Sequence, residues 1–233
     1  MQIQGDKSVV MIAGGSGLVG SHAIELMLNE SAISSIYSLG RSPLPSNWNT
    51  DGSKLIELIS PDLQINEWDE SRPSPTLGLI CLGTTIKQAG SNEALYKVDY
   101  ELVCHVAQTM HLLGVKRLAV VSSYGASTQS PSHYLRCKGQ MEQTLTRMGF
   151  EQLLILRPGP LVGERKKPRL DEKWLQMILW LFRPLMLGRL KSLVPIQAHD
   201  VAKTALYKLF SSKYHPTEMY DSKKMLTFLS EYR

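Results

Sequence analysis

The sequence predicts an α/β fold in which a doubly wound parallel sheet is covered by helices on both faces. Three observations predict it. Six short apolar, β-branched segments alternate with stretches of helical periodicity between residues 8 and 159. The strand-like segments are nearly continuous in apolar character, as strands buried on both faces are. A glycine-rich turn, AGGSGLVGS, joins the first of them directly to the first helical stretch.

SVVMIA (8–13) reads as a short buried strand, and the glycines behind it open a helix through LVGSHAIELML. SSIYSLG (34–40) is a second strand, followed by a Pro/Ser/Asn-rich loop, and KLIELI (54–59) is a third. LGLICLG (77–83) is the fourth, with a long helical stretch after it over about 91–113. VKRLAVVSS (115–123) is the fifth. Ser130-Pro131 supplies an N-cap and a first-turn proline for a helix over about 131–148. QLLILRPG (152–159) is the sixth strand. Right-handed crossovers then bring the carboxyl ends of all six to one edge, where such sheets bind ligands. After residue 160 the pattern changes to a basic loop, an apolar helix over about 170–187, a short strand near LVPI, and helices near 199–211 and 222–232. The chain is therefore expected to be one domain, 1–233, with 160–233 contributing a small C-terminal substrate-side lobe.

Composition narrows the classes of function. A net charge of +5 is mild, and much of it lies in ERKKPR (164–169) and in scattered lysines. Without interleaved aromatics this reads as a solvated loop and not as a nucleic-acid surface. MQIQGDKSVV lacks the layout of a signal peptide. The three cysteines, Cys81, Cys104 and Cys137, stand too far apart for a disulfide framework or a metal site, which predicts a reducing, cytoplasmic setting. WLQMILWLFRPLML (174–187) is broken by Gln176, Arg183 and Pro184, well short of the ~20 residues a membrane span requires. It reads as a buried or substrate-covering helix, with a helix lying flat on a membrane or docking a partner as the alternatives. Its Trp174, Met177, Ile178, Trp180 and Leu181 suit an apolar small-molecule ligand, and equally a protein core or a homodimer interface.

The glycine turn carries the first functional signal. Gly14, Gly17 and Gly20 fit G-x-x-G-x-x-G, while Gly15, Gly17 and Gly20 fit G-x-G-x-x-G. A turn built from Gly14, Gly15, Ser16, Gly17, Leu18, Val19 and Gly20, between strand and helix, predicts a dinucleotide whose pyrophosphate sits at the helix N-terminus. NAD sites usually place a carboxylate at the end of the second strand, for the ribose 2′-hydroxyl. Here SLGRSP offers Arg41 instead, and a guanidinium can grip a 2′-phosphate, so NADP(H) is expected over NAD(H). Asp62 and Leu63 follow the third strand, where the carboxylate can accept from an adenine amine. Leu82-Gly83-Thr84 ends the fourth, where a small residue lets the ribose approach.

The second signal is a tyrosine and a lysine four apart, a spacing that occurs twice. Tyr134 and Lys138 lie in SHYLRCKGQME, and Tyr220 and Lys224 lie in YDSKK. Only the first pair follows a strand ending in Ser122-Ser123 at the ligand edge. A lysine ammonium beside a phenol favours the phenolate, which suits a tyrosine that exchanges a proton with a carbonyl oxygen. A serine hydroxyl at the strand end can hold the same oxygen. Tyr220 and Lys224 read as a surface pair. His22, His105, His111 and His133 form no metal spacing, Asp200 after His199 suits the cap of the later helix, and Cys137 reads as a packed thiol.

GGSGLVG, VVSS, YLRCK, LRPGPLVG and VPIQAHDVA together resemble the short-chain dehydrogenase/reductase superfamily, over nearly the whole chain. LGTT, VDYELV, SSYGAS and LRPGPLVGER look most like its atypical, Tat-interacting-protein-2-type members. The resemblance implies a Rossmann-type fold and NADP binding. It also implies Tyr134 as acid/base, Lys138 holding the nicotinamide ribose and tuning Tyr134, and Ser123 orienting the substrate, with Ser122 the alternative. Arg157-Pro158-Gly159-Pro160 would form the loop against the nicotinamide. Two features depart from the commonest members. LGTT replaces their Asn-Asn-Ala-Gly sequence, so their Asn-mediated proton relay does not carry over, and only 11 residues separate Ser123 from Tyr134. The expected function is hydride transfer between NADPH and a carbonyl/alcohol substrate. The alternatives are an NADP-binding sensor or scaffold with little catalysis, and an epimerase or dehydratase with tightly bound NAD.

Overall fold

Val10 and Ile12 of the first strand point to one side, and Val9, Met11 and Ala13 to the other, and both sides are buried. That double burial explains a continuous apolar run where a half-exposed strand would alternate. In the computed structural model, which describes residues 7–48, 54–163 and 194–231, this strand, β1 (Ser8–Ala13), lies centrally in a seven-stranded parallel sheet. The other strands of the sheet are β2 (Ile33–Gly40), β3 (Leu55–Ile59), β4 (Leu77–Ile80), β5 (Arg117–Val121), β6 (Gln152–Arg157) and β9 (Thr217–Asp221). The order β3-β2-β1-β4-β5-β6-β9 reverses direction between β1 and β4. Such a reversal opens a crevice at the carboxyl ends of the two strands.

Helix α1 (Leu18–Leu28) and helix α6 (Ala198–Leu209) cover one face, through Val19, Ala23, Ile24 and Met27 and through Val201, Ala202, Ala205 and Leu209. The other face carries α4 (Val103–Leu112) and α5 (His133–Thr146), through Val103, Val106, Met110, Met141 and Leu145. The helical stretch expected over 91–113 is built in three parts. Helix α3 (Asn92–Tyr96) runs into a π-helical turn, Lys97–Leu102, and continues as α4. A short helix, α2 (Ile86–Ala89), precedes them, capped by the Thr85 hydroxyl.

The start of α5 differs from expectation. Its N-cap is Ser132, which makes no side-chain cap bond. The Arg136 guanidinium instead reaches back to the carbonyls of Ser130 and Pro131, at 2.8 and 2.7 Å. Asp200 likewise sits in the first turn of α6, where its charge favours the helix N-terminus, while Gln197 holds the cap position.

The apolar helix expected over 170–187, with the basic stretch 164–169, lies outside the described residues. Within 194–231 the chain returns to the sheet. Ile196–Gln197 (β8) pairs with Leu161–Val162 (β7) as a two-stranded parallel ribbon, and α6 packs on α1. Strand β9, unexpected from the sequence, then pairs with β6 from Leu153↔Thr217 to Arg157↔Asp221. A polar cluster fastens this edge strand. Lys208 on α6 pairs with Glu218 at 2.8 Å, and Gln152 Nε2 donates to the second oxygen of Glu218 at 2.9 Å. Arg117 donates to Gln152 Oε1 and to the carbonyls of Lys208 and Ser211.

Both Lys208 and Glu218 are nearly buried, so removing one partner strands the other charge in the protein. Glu218→Ala is expected to lower stability by roughly 3 kcal/mol in urea denaturation, and Lys208→Met combined with Glu218→Leu to recover most of it. Equal losses in the single and double variants would contradict this account of the β9 anchor.

Candidate functional site

The carboxyl ends of β1 and β4 meet across the crevice at backbone-contact distance. Gly14 has φ +86°, and a Cβ there would lie 2.8 Å from the carbonyl carbon of Cys81 after β4. Gly20, one turn into α1, would place a Cβ 2.2 Å from the Gly14 carbonyl oxygen. Glycine is therefore required at both positions by contact with backbone, which cannot move aside as a side chain can. Gly17 supplies the N-cap of α1, and its N–H donates to the Gly14 carbonyl at 3.0 Å. Val19 is buried against the sheet, Leu18 is partly so, and Ser16 is exposed beside the turn.

Beside this turn a cleft is lined by Gly15, Ser38, Arg41, Glu57, Leu63 and Leu82. Arg41 is exposed and has no partner among the described residues. Glu57 is a carboxylate that reading the end of β2 does not reveal. It comes from β3, opposite Ser38 in register, and accepts from the Leu44 N–H at 2.7 Å. Asp62 accepts from Ser60 Oγ at 2.7 Å, and that hydrogen bond holds its exposed carboxyl below the usual range. Leu63 takes φ +58°, an unusual conformation for a non-glycine residue, while its side chain is buried in the core. These residues fit a dinucleotide: a glycine cradle without side chains, an apolar floor at Leu63 and Leu82, and an unpaired cation beside them.

Lys138 is 2% exposed and Asp99 0%, and their Nζ and Oδ1 atoms stand 2.8 Å apart. Burial disfavours the ammonium, but Tyr134 and Asp99 act against it, and the net effect raises the Lys138 pKa above its ordinary 10.5. The carbonyls of Leu82 and Val121 stand 3.5 Å from the same nitrogen. The other oxygen of Asp99 accepts from the Thr84 N–H at 3.0 Å. Gly83 completes the enclosure, since a Cβ there would lie 3.2 Å from Asp99 Oδ1. Asp99 sits in the π-helical turn, where the backbone widens and re-aims a side chain. Sequence reasoning missed it, although an acid inside VDYELV was the available signal.

Tyr134 is half-buried, one turn before Lys138 on α5. The two serines after β5 differ. Ser122 is buried and donates to Glu142 Oε1 at 2.5 Å, whereas Ser123 is half-buried and makes a long bond, 3.4 Å, to the Tyr124 carbonyl. The Arg157 guanidinium is also committed to Glu142, by its Nε at 3.0 Å and by a second bond from Nη2. That hydrogen-bonded pairing raises the Arg157 pKa further. Pro158 and Gly159 are held through their backbone, by Tyr124 N–H donating to the Pro158 carbonyl at 2.9 Å and Gly159 N–H donating to Ser222 Oγ at 2.8 Å.

The short Ser123–Tyr134 connection is accommodated by Gly139. The loop crosses α5 so closely that a Cβ at Gly139 would lie 2.3 Å from the Ser127 carbonyl carbon and 2.5 Å from the Thr128 nitrogen. Tyr220 and Lys224 do not form a comparable pair. Tyr220 lies in β9 against Phe228, while Lys224 is exposed in helix α7 (Ser222–Ser230) and its Nζ reaches the Met219 carbonyl. Burial pushes the Cys81 thiol up to about 12 and also raises the Cys137 thiol, so neither is a thiolate at neutral pH.

A seven-stranded parallel sheet with a glycine turn at its switch point is a Rossmann-type fold. Solved structures agree with it in architecture. UDP-glucuronic acid 4-epimerase from Bacillus cereus, in complex with UDP-glucuronic acid and NAD, superposes with a TM-score of 0.66 at 12% identity, over 91% of this chain and 76% of that one. A putative NAD-dependent epimerase/dehydratase from Bacillus halodurans gives a TM-score of 0.63 at 20% identity, over 92% of each chain. In sequence, Protein FMP52, mitochondrial, of Candida albicans is 36% identical over 201 residues, which is 84% of this chain and 85% of the relative. The mitochondrial protein fmp52 of Emericella nidulans is 32% identical over 162 residues, 69% of this chain and 70% of the relative. The family model described as HIM1 matches residues 75–185. The chain belongs to the FMP52 family.

These relatives correct one expectation. They are named as mitochondrial proteins, against the cytoplasmic setting read from the cysteines. Unpaired thiols distinguish reducing from oxidising compartments, and the cytosol is not the only reducing one.

Gly139→Ala is expected to cost roughly 1–3 kcal/mol in urea denaturation, because the backbone of the 127–128 loop must retreat. An unchanged midpoint would show that the loop is not held against α5. The raised Lys138 pKa also sets a pH dependence. Stability from a group whose pKa rises on folding is full below its unfolded value and is lost as pH climbs through the folded one. The Lys138–Asp99 contribution should therefore be flat through neutral pH and fade only above 10.5, which urea denaturation across that range checks.

Proposed function

We propose that the protein is an NADP(H)-dependent oxidoreductase acting on a carbonyl/alcohol pair. The observation that carries this reading is the arrangement of Tyr134, Lys138 and Ser123 at the carboxyl ends of β4 and β5, beside the glycine turn on β1. NADP(H), when bound, supplies or accepts the hydride. Glycines 14, 15, 17 and 20 admit the pyrophosphate, with Ser16, Leu18 and Val19 completing the turn over α1. Lys138, an ammonium paired with Asp99, would give up its long 3.5 Å contacts to the Leu82 and Val121 carbonyls to hold the nicotinamide-side ribose, and it keeps a positive charge next to the Tyr134 phenol. Tyr134 exchanges a proton with the substrate oxygen. Ser122 faces Glu142, which leaves the Ser123 hydroxyl to hold that oxygen.

The preference for NADP(H) rests on Arg41. Arg41 and Glu57 line the same cleft with opposite charges. Glu57 is held by the Leu44 N–H, while the exposed guanidinium is free to move onto a phosphate. The LGTT and VDYELV stretches support a likeness to the Tat-interacting-protein-2 type of atypical reductase. A mitochondrial location, by analogy with the named relatives, is compatible with free thiols at Cys81, Cys104 and Cys137.

Two measurements test this. NADPH should raise the melting temperature more than NADH does, since a ligand that binds only the native state stabilises it. Arg41→Ala should remove that difference, with roughly tenfold weaker NADPH binding, the equivalent of about 1.4 kcal/mol. Tyr134→Phe should abolish turnover in a carbonyl-reductase screen and leave the NADPH stabilisation intact. Unchanged turnover would sink the mechanism, and no stabilisation by either cofactor would sink the dinucleotide reading. NAD that co-purifies and does not exchange would point to epimerase or dehydratase chemistry instead.

A further inference from the structure

We infer that Glu142 is a positioning residue that shapes the nicotinamide half of the cleft and leaves the adenosine half untouched. The inference rests on the dinucleotide reading above. Glu142 follows Tyr134 and Lys138 at intervals of four, on the same stripe of α5, and its side chain is 5% exposed. Its carboxylate joins three elements. Oε1 accepts from Ser122 Oγ at the end of β5 and from Arg157 Nε at the end of β6, and Oε2 accepts from Arg157 Nη2. One side chain on the helix that carries Tyr134 and Lys138 thereby sets the distance from that helix to both strand ends.

The effect extends along the chain after β6. Beyond Arg157, the Pro158 carbonyl accepts from the Tyr124 N–H, and the Gly159 N–H donates to the hydroxyl of Ser222, the fully buried first residue of α7. The Pro160 carbonyl accepts from the Ile196 N–H at 3.1 Å, β7 follows, and a Cβ at Gly163 would lie 3.1 Å from Leu18 Cδ1 in the glycine turn. Residues 157–163 thus run along the ligand edge from β6 back to the start of α1, as a wall anchored at Glu142 and at Ser222. The wall is bonded to the backbone of Tyr124, next to Ser123, on the side of the ligand edge to which Tyr134 and Lys138 belong. The adenosine half, with Arg41, Glu57 and Leu63, is built on β2 and β3 across the switch point. None of the bonds just named reaches those strands.

A carboxylate that served stability alone would, when altered, weaken every ligand alike. A positioning carboxylate separates them. The test titrates the full-length protein with NADPH and with 2′,5′-ADP, which carries the adenosine half and no nicotinamide. Glu142→Gln is expected to weaken NADPH roughly tenfold and to reduce the fluorescence enhancement of the bound reduced nicotinamide, with 2′,5′-ADP affinity kept within about twofold. Ser222→Ala, which frees the other anchor and leaves the ion pair in place, should give the same split on a smaller scale. It decides the matter if Glu142→Gln does not fold. Equal weakening of both ligands, or of neither, overturns the inference. Wild-type protein that binds neither ligand would show that the dinucleotide reading has failed, and the inference with it, before any variant is made.

Discussion

A lysine ammonium buried to 2% exposure is the constraint around which the site is organised. An uncompensated charge at that depth would cost several kcal/mol, so every element near it must supply negative charge or carbonyl oxygen. Asp99 does so from the π-helical turn, Leu82 from the end of β4 and Val121 from the end of β5. Asp99 is itself fully buried and is completed by the Thr84 N–H. The end of β4, the widened turn before α4, the end of β5 and the second turn of α5 are therefore held in register by one charge. Tyr134 takes its place from that register, one turn along the same helix.

A parallel arrangement recurs eight residues on from Tyr134. Glu142 ties α5 to β5 and β6 as Lys138 ties it to β4 and β5. Two buried charges on one helix stripe thus triangulate α5 against three strand ends. The far edge of the sheet uses the same device: Lys208 and Glu218 fasten β9, Gln152 donates to Glu218, and Arg117 donates to Gln152. Buried pairs of this kind add little net stability compared with apolar packing, but they admit few alternative arrangements of the elements they join.

The central strands and their helices were legible because their signals are local and strong. Continuous apolar runs mark β1, β4 and β6, and the glycine turn marks the start of α1. Strand β9 was not legible, since TEMYD is short, half-exposed and polar at both ends. It is a strand because β6 offers a free edge and Lys208 offers a charge. The cap was expected two residues before Ser132, and there a side chain a turn further on acts instead: Arg136 donates to the carbonyls of Ser130 and Pro131 and holds them in the segment before the helix. The two Tyr-Lys spacings were separable in sequence only by what preceded them. In space they differ completely, since Tyr134 and Lys138 share a helix face and Tyr220 and Lys224 do not share an element.

By itself the sequence determined the α/β class, the glycine turn and the position of Tyr134 and Lys138 after a strand ending in serines. These follow from steric rules and periodicities that act within a few residues. The tertiary structure decided which serine is turned inward, that Arg157 faces Glu142, that Glu57 shares a cleft with Arg41, and that Asp99 meets Lys138. Each of these joins residues far apart in the chain, 15 to 39 positions by numbering. For Ser122, Glu142, Arg157, Asp99 and Lys138 the partners are chosen by the cost of leaving a buried charge or hydroxyl unpaired, and that cost exists only once the sheet has closed around them.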